Sequence, residues 1–315
     1  MPQSAPAALL VRPAAFGYNA ETAASNRFQL HPAGQAGEAG AIVVRARAEF
    51  DGLVRALRSE GIGLCVVEDT AAPAKPDAVF PNNWLSWHAD GTVVLYPMLA
   101  VSRRAERRAE IIDAVVAKLP FKCNRVLDLS VHEREGRFLE GTGSLVLDHA
   151  HRVAYACRSA RTDEGLVREW AQLMHYRPVI FDAADECGAA LYHTNVMLCV
   201  GVHFTVVCPA AIDARDRDRV LDELRATGRE LIAIDLPALR HFAGNMLELA
   251  AWDEALGDYG VLVMSATARA ALAHEQFAKL SACADSILAV PVPTIEAQGG
   301  GSVRCMLAEV PELAP

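Results

Sequence analysis

Five short polar clusters interrupt an otherwise apolar chain of 315 residues. They are Asp77-Ala78-Val79-Phe80-Pro81-Asn82-Asn83-Trp84, Leu139-Glu140-Gly141-Thr142-Gly143-Ser144, Tyr192-His193-Thr194-Asn195, Gly244-Asn245, and Gln298-Gly299-Gly300-Gly301-Ser302-Val303-Arg304-Cys305. Of the eight cysteines, Cys305 follows a glycine run in polar surroundings, where a thiol can ionise; Cys199 and Cys208 lie within apolar runs that would not stabilise a thiolate. Gly299 to Gly301 allow backbone to approach a bound molecule closely and to offer N–H donors to a developing tetrahedral centre.

These clusters are useful only if the fold gathers them. Each sits at the start of a recurring plan: an apolar strand, a turn, a second apolar strand, then a helix. The first copy pairs 84–87 with 92–96 through an Asp90-Gly91 hairpin signal, and a helix is predicted from Arg103 to Lys118. The plan returns at 144–156 with a helix from Asp163, at 195–208 with a helix from Asp213, and at 245–265 with a helix from Ala266. A final strand, 302–307, has no room for its own helix, so its missing parts must come from the N-terminus. Hairpin starts recur every 50 to 60 residues. Single strands at 63–67, 125–128, 178–181 and 231–235 complete ββαβ units, and closure by both chain ends resembles a propeller. A doubly wound sheet is the competing α/β arrangement, but it needs long crossovers where hairpins recur here. No linker divides the chain, so one domain over 1–315 is expected.

Composition narrows the partners. The net charge of −9 and the dispersed basic residues argue against nucleic acid. The run Arg103 to Arg108, interleaved with Glu106, reads as a solvated helix face. No signal peptide and no spanning segment is evident, so a soluble cytoplasmic protein without a membrane partner is expected. The scattered cysteines, and His88, His132, His149 and His151 without ligand spacing, predict neither disulfides nor a metal. No cofactor is expected. Self-association stays open.

The order of the motifs, an acid/amide cluster around Phe-Pro, then Glu-Gly-x-Gly, then a histidine motif, then a glycine-rich loop ending in cysteine, resembles the amidinotransferase and arginine deiminase superfamily. The likeness runs from about residue 10 to 310 and is strongest to the methylarginine hydrolases and the citrulline-utilisation hydrolases. It implies a five-bladed α/β propeller, Cys305 as nucleophile, His193 as general acid/base, and Glu140 as the carboxylate orienting it. It further implies that Arg161 grips the substrate carboxylate and that Asp77, Phe80, Asn82, Asn83, Asn195, Asn245 and Gly300 lie around a small amino-acid substrate. A guanidino or ureido carbon is deactivated by resonance, which suits a thiolate nucleophile. His193 would protonate the leaving nitrogen and later activate water, which favours a pKa near the working pH.

Two departures bear on substrate. Asn83, preceded by Asn82, stands where deiminases and methylarginine hydrolases present a carboxylate, and an amide suits a neutral ureido group better than a guanidinium. The expectation is therefore citrulline, converted to ornithine, ammonia and carbon dioxide through an S-carbamoyl cysteine. Methylarginine hydrolysis, arginine deimination or amidino transfer through an S-amidino intermediate is the alternative. Tyr96-Pro97 replaces an arginine usual before that proline, so a second carboxylate grip is missing from that position. Taken singly, His193 also reads as an interior histidine, Glu140 as a turn cap, Asp77 and Asn82-Asn83 as turn chemistry, Arg161 as a surface residue, and Asn195 as a strand start. A binding protein without catalysis is the remaining class, disfavoured because such a scaffold has no need of a thiol with its base. The Ala, Gly and Ser content of the stretch Asn19 to Gly40 suggests a mobile loop, and which loop covers the site is left open by the sequence.

Overall fold

A computed structural model describes residues 2–31, 39–255 and 257–313. Five three-stranded sheets form its framework, and four follow one pattern. These are β3 (Leu85–Trp87), β4 (Thr92–Leu95) and β5 (Arg125–Asp128); β6 (Val146–Asp148), β7 (Val153–Cys157) and β8 (Arg177–Phe181); β9 (Leu198–Val200), β10 (Phe204–Val207) and β11 (Glu230–Ala233); and β12 (Leu247–Asp253), β13 (Gly257–Ser265) and β14 (Ser286–Val290). In each, an antiparallel hairpin is followed by a helical connection and a third strand parallel to the second. The fifth sheet places β1 (Ala7–Arg12) between β2 (Gly63–Glu68), parallel, and β15 (Ala308–Val310), antiparallel. Its missing parts do come from the N-terminus.

Local chemistry sets the boundaries. Asp163 and Asp213 cap the helices Glu164–Met174 and Ala214–Arg225 by accepting from Leu166 N and Arg215 N, which satisfies N–H groups a helix start leaves unpaired. In the helix Ala39–Ser59, Ile42, Ala46, Phe50, Leu53 and Leu57 fall on one buried face. The sheets lean on one another: Ala5 bridges to Leu249, Val202 N donates to Glu248, and Gln3 Nε2 donates to Leu147 O and Val200 O.

Three expectations need correction. The helix predicted over Arg103 to Lys118 is broken into Val101–Arg104 and Ala109–Lys118, because Arg103 and Glu106 turn inward and pair, 2% and 3% exposed, instead of forming a solvated face. The final strand does not contain Cys305, which lies in a single 3₁₀ turn, Val303–Met306, before β15. Ser144 and Asn195, expected to begin strands, likewise lie in one-turn helices, Gly141–Ser144 and Thr194–Val196, and Asn82 and Asn83 lie in another, Pro81–Asn83. A one-turn helix precedes these strands because its tight hydrogen bonds, such as Cys305 N to Ser302 O at 2.9 Å, turn the chain before the ladder begins. Strand β14 had no counterpart among the expected single strands.

A buried polar chain runs through the first hairpin: His88 Nε2 meets Ser86 Oγ at 2.8 Å, and Ser86 Oγ meets Tyr96 Oη at 2.7 Å. Burial holds the His88 pKa down to about 3, below the ordinary 6.5. The native state therefore takes up no proton where the unfolded chain does, and its stability is complete above pH 6.5 and drains away as pH falls toward 3. Between pH 7 and 4.5, wild type should lose about 2–3 kcal/mol relative to His88→Gln, read from paired urea titrations.

Candidate active site

Four of these one-turn helices and the loop at Gly244-Asn245 converge on a narrow cavity. Asp77, Phe80, Asn83, Arg161, His193, Gly300 and Cys305 line it. The other four expected residues stand directly behind them. Glu140 Oε2 lies 2.9 Å from His193 Nε2. Asn195 Nδ2 and Asn245 Nδ2 approach Cys305 Sγ at 3.5 and 3.4 Å, and Asn82 Oδ1 accepts from Asn83 Nδ2 at 3.0 Å.

Close packing here depends on glycine. A Cβ on Gly143 would sit 2.6 Å from both Asn83 Nδ2 and His193 Nδ1, so only glycine lets the Glu140 turn fit against these two side chains. Gly300 adopts φ +62° and presses on Asn26 and Gln29.

The electrostatics define the imidazole. Burial opposes ionisation of Glu140, but Arg161, His193 and Arg103 outweigh it and hold the carboxyl down at about 2. Ionised, Glu140 can only accept, so His193 must carry its hydrogen on Nε2 and leave Nδ1 bare. Burial lowers the His193 pKa to about 4 despite Glu140, well below the expected working range. The resting group is a neutral imidazole. Cys305 sits 3% exposed with the amide nitrogens of Asn195 and Asn245 beside its sulfur. Burial pushes Cys157 up to about 11 and raises Cys199 and Cys208 as well. Cys187 is exposed, so surface alkylation there accompanies any labelling of Cys305.

Arg103 is the residue that sequence reasoning missed. Its Nε and Nη2 hold Glu106 at 3.0 and 2.9 Å, Nη2 donates to Phe80 O, and Nη1 donates to Asn83 Oδ1 at 2.7 Å. Arginine and glutamate three residues apart look the same in sequence on a wet helix face and in a buried pair. Because Arg103 has no acceptor, it fixes the orientation of the Asn83 amide: oxygen toward the guanidinium, nitrogen away from it. Burial pushes Glu106 up to about 7 even beside Arg103. Arg103→Leu would leave that carboxyl buried and unpaired, so unfolding at pH 8 should become about 3–5 kcal/mol easier, and the penalty should shrink at pH 5 where Glu106 is neutral. Urea midpoints at the two pH values check this.

Part of the small-residue stretch Asn19 to Gly40 borders the cavity, and its residues 32–38 fall outside those described. Asn19 Nδ2 and Thr22 Oγ1 donate to Asp77 Oδ2 at 2.7 and 3.2 Å. Arg161 donates to Thr22 O and Ser25 Oγ at 2.8 and 2.9 Å, and to Glu140 at 3.3 Å. Thr22, Asn26 and Tyr192 thus line the cavity together with the residues already named. Among the described residues no group of His, Cys, Asp and Glu is arranged to hold a metal, and no helix is long and apolar enough to cross a membrane.

Comparison with known proteins gives one family. The model of the eukaryotic N,N-dimethylarginine dimethylhydrolases matches residues 12–312. Comparison with curated proteins returns no match. Among solved structures, the N-terminal domain of ArgZ, an arginine dihydrolase from the ornithine-ammonia cycle in cyanobacteria, aligns with TM-score 0.73 at 18% identity, covering 97% of this chain and 98% of that one. Unliganded AgrE aligns with TM-score 0.74 at 18% identity over 98% of this chain but 39% of its own. A dimethylarginine dimethylaminohydrolase adduct with S-methyl-L-thiocitrulline aligns with TM-score 0.63 at 15% identity, covering 95% and 97%. At such identities the likeness is one of fold.

Proposed function

Since the chain belongs to the N,N-dimethylarginine dimethylhydrolase family, we propose that it is a cysteine hydrolase of citrulline, releasing ornithine, ammonia and carbon dioxide. The family itself makes it a hydrolase of carbon–nitrogen bonds in guanidino compounds. The five sheets are best read as blades of one propeller over the whole chain, with the site on its axis.

One observation carries the choice of substrate. Arg103 fills one acceptor position of the Asn83 oxygen and turns it toward the guanidinium, and Asn82 takes one N–H, so the amide offers a substrate its second N–H. A ureido oxygen accepts from it, whereas a guanidinium presents only donors and would meet a donor. Arg161, released from Thr22 and Ser25, takes the substrate carboxylate. The Cys305 proton passes to His193 Nδ1, and the thiolate adds to the ureido carbon. The ornithine nitrogen departs with the proton of His193, leaving a carbamoyl group on sulfur. His193 Nδ1 then deprotonates water, which releases carbamate and restores the thiol. Carbamate falls apart to ammonia and carbon dioxide.

A second reading is supported by Asp77, whose carboxylate also lines the cavity: a cation could enter first, and arginine would be hydrolysed twice, the activity named for ArgZ. Mass spectrometry of products from citrulline, arginine and dimethylarginine, with Cys305→Ser as control, separates the two. Ornithine from citrulline alone is the expected result. Ornithine from arginine as well supports the second reading, and turnover of guanidines with citrulline untouched overturns both.

A further inference from the structure

A second cavity, of about 490 Å³, is bounded by the N-terminal segment Pro2 to Pro6, by Trp87 and His88, by Thr142 and His149, and by Trp252 and Asp258. That volume suits a small ligand. Trp252 is 62% exposed and stands opposite Asp258 in the register of β12 and β13, so an indole face and a carboxylate lie side by side at the mouth. Glu312 adds a second exposed carboxylate to the lining, whereas Glu309 is occupied by Arg304 at 2.7 Å. No lysine or arginine occurs among the described lining residues. The histidines are kept neutral: burial lowers His149 as it lowers His88. One buried atom on a lining residue that can accept, His88 Nδ1, has no partner among the described residues. A cation entering here finds an aromatic face and two carboxylates. An α-carboxylate finds no charge to meet it.

We propose that this cavity binds a small organic dication without a carboxylate, a linear alkyl diamine or guanidinoalkyl amine, held at its mouth by Trp252 and Asp258. Its occupancy reaches the first site through Thr142. That residue lines the second cavity, its hydroxyl accepts from Asn82 Nδ2 at 3.3 Å, and Asn82 Oδ1 accepts from the Asn83 amide. A ligand that shifts Thr142 therefore shifts the group that reads the ureido oxygen. The coupling rests on the proposed function, while the binding does not.

Calorimetric titration of the full chain with 1,4-diaminobutane and, separately, with 4-aminobutanoate tests the binding. The diamine is expected to bind saturably and the amino acid at least about tenfold more weakly; Trp252→Ala and Asp258→Asn should each weaken the diamine by about tenfold. No saturable heat, equal affinity for 4-aminobutanoate, or indifference to both substitutions overturns the site, the last pointing to diamine held in the first cavity. In a turnover assay the diamine should change KM for citrulline in wild type and leave it unchanged in the two variants, whose basal turnover should equal that of wild type. Saturable, substitution-sensitive binding with an unchanged KM overturns the coupling alone.

Discussion

Cys305→Ala should lower kcat by at least about 10⁴-fold while leaving the urea midpoint within about 1 kcal/mol of wild type. The effect on rate is large because nothing else near the reacting carbon can form the covalent intermediate. His193 Nδ1 can activate water, but water attacking a resonance-stabilised ureido carbon directly lacks the nucleophilicity of a thiolate. The effect on stability is small because only one sulfur is removed, and one of its two partners keeps other work: Asn245 Nδ2 also donates to Asn195 O, and Asn245 Oδ1 still accepts from Arg304 N. Steady-state kinetics and denaturation of the same preparation measure the two quantities. Intact-mass detection of a carbamoyl adduct in wild type, absent in the variant, ties the loss to the covalent step. An equal loss of rate and fold would mean that Cys305 is a packing residue.

Asn83→Asp should lower kcat/KM for citrulline by about 10³–10⁴-fold, because a site built to donate to a substrate oxygen would then present a second acceptor to it. Arg103 makes this substitution tolerable for the fold. Its Nη1 meets Asp as readily as Asn, with charge added, and Asn82 can turn its amide so that Nδ2 faces the new carboxylate while Thr142 donates to its oxygen. The new charge should draw in a guanidinium, so the product pattern should move from ornithine toward citrulline when arginine or methylarginine is offered. Product ratios by mass spectrometry measure the change. A variant that still prefers citrulline would show that the ureido oxygen is read by another group.

Much of this was legible in the chain. Polar clusters placed before each hairpin mark the residues that meet in one cavity, because a repeated module puts equivalent positions at equivalent depth. The family resemblance is supported by the match over nearly the whole length. What stayed hidden depends on three-dimensional environment. Nothing in the spacing of Arg103 and Glu106 tells a buried pair from an exposed one. Asn195 and Asn245 read as strand starts, yet their side chains converge on one sulfur from two different modules. A 3₁₀ turn of three or four residues leaves no periodicity long enough to detect, which is why Cys305 was assigned to a strand. The depressed pKa of His193 follows from burial that no sequence motif encodes.

The pairing of β1 with β15 has a consequence for how the protein is made. Ala7 lies opposite Val310, so β1 waits for a strand that is made much later. Until β15 has been made, β1 offers an open edge to any passing strand, and the loop to be closed spans about 300 residues, a contact of the slowest kind to form. The nucleophile arrives with that same final segment. A nascent chain with four complete modules is therefore both sticky and inert, and the step that seals its edge is the step that delivers its sulfur.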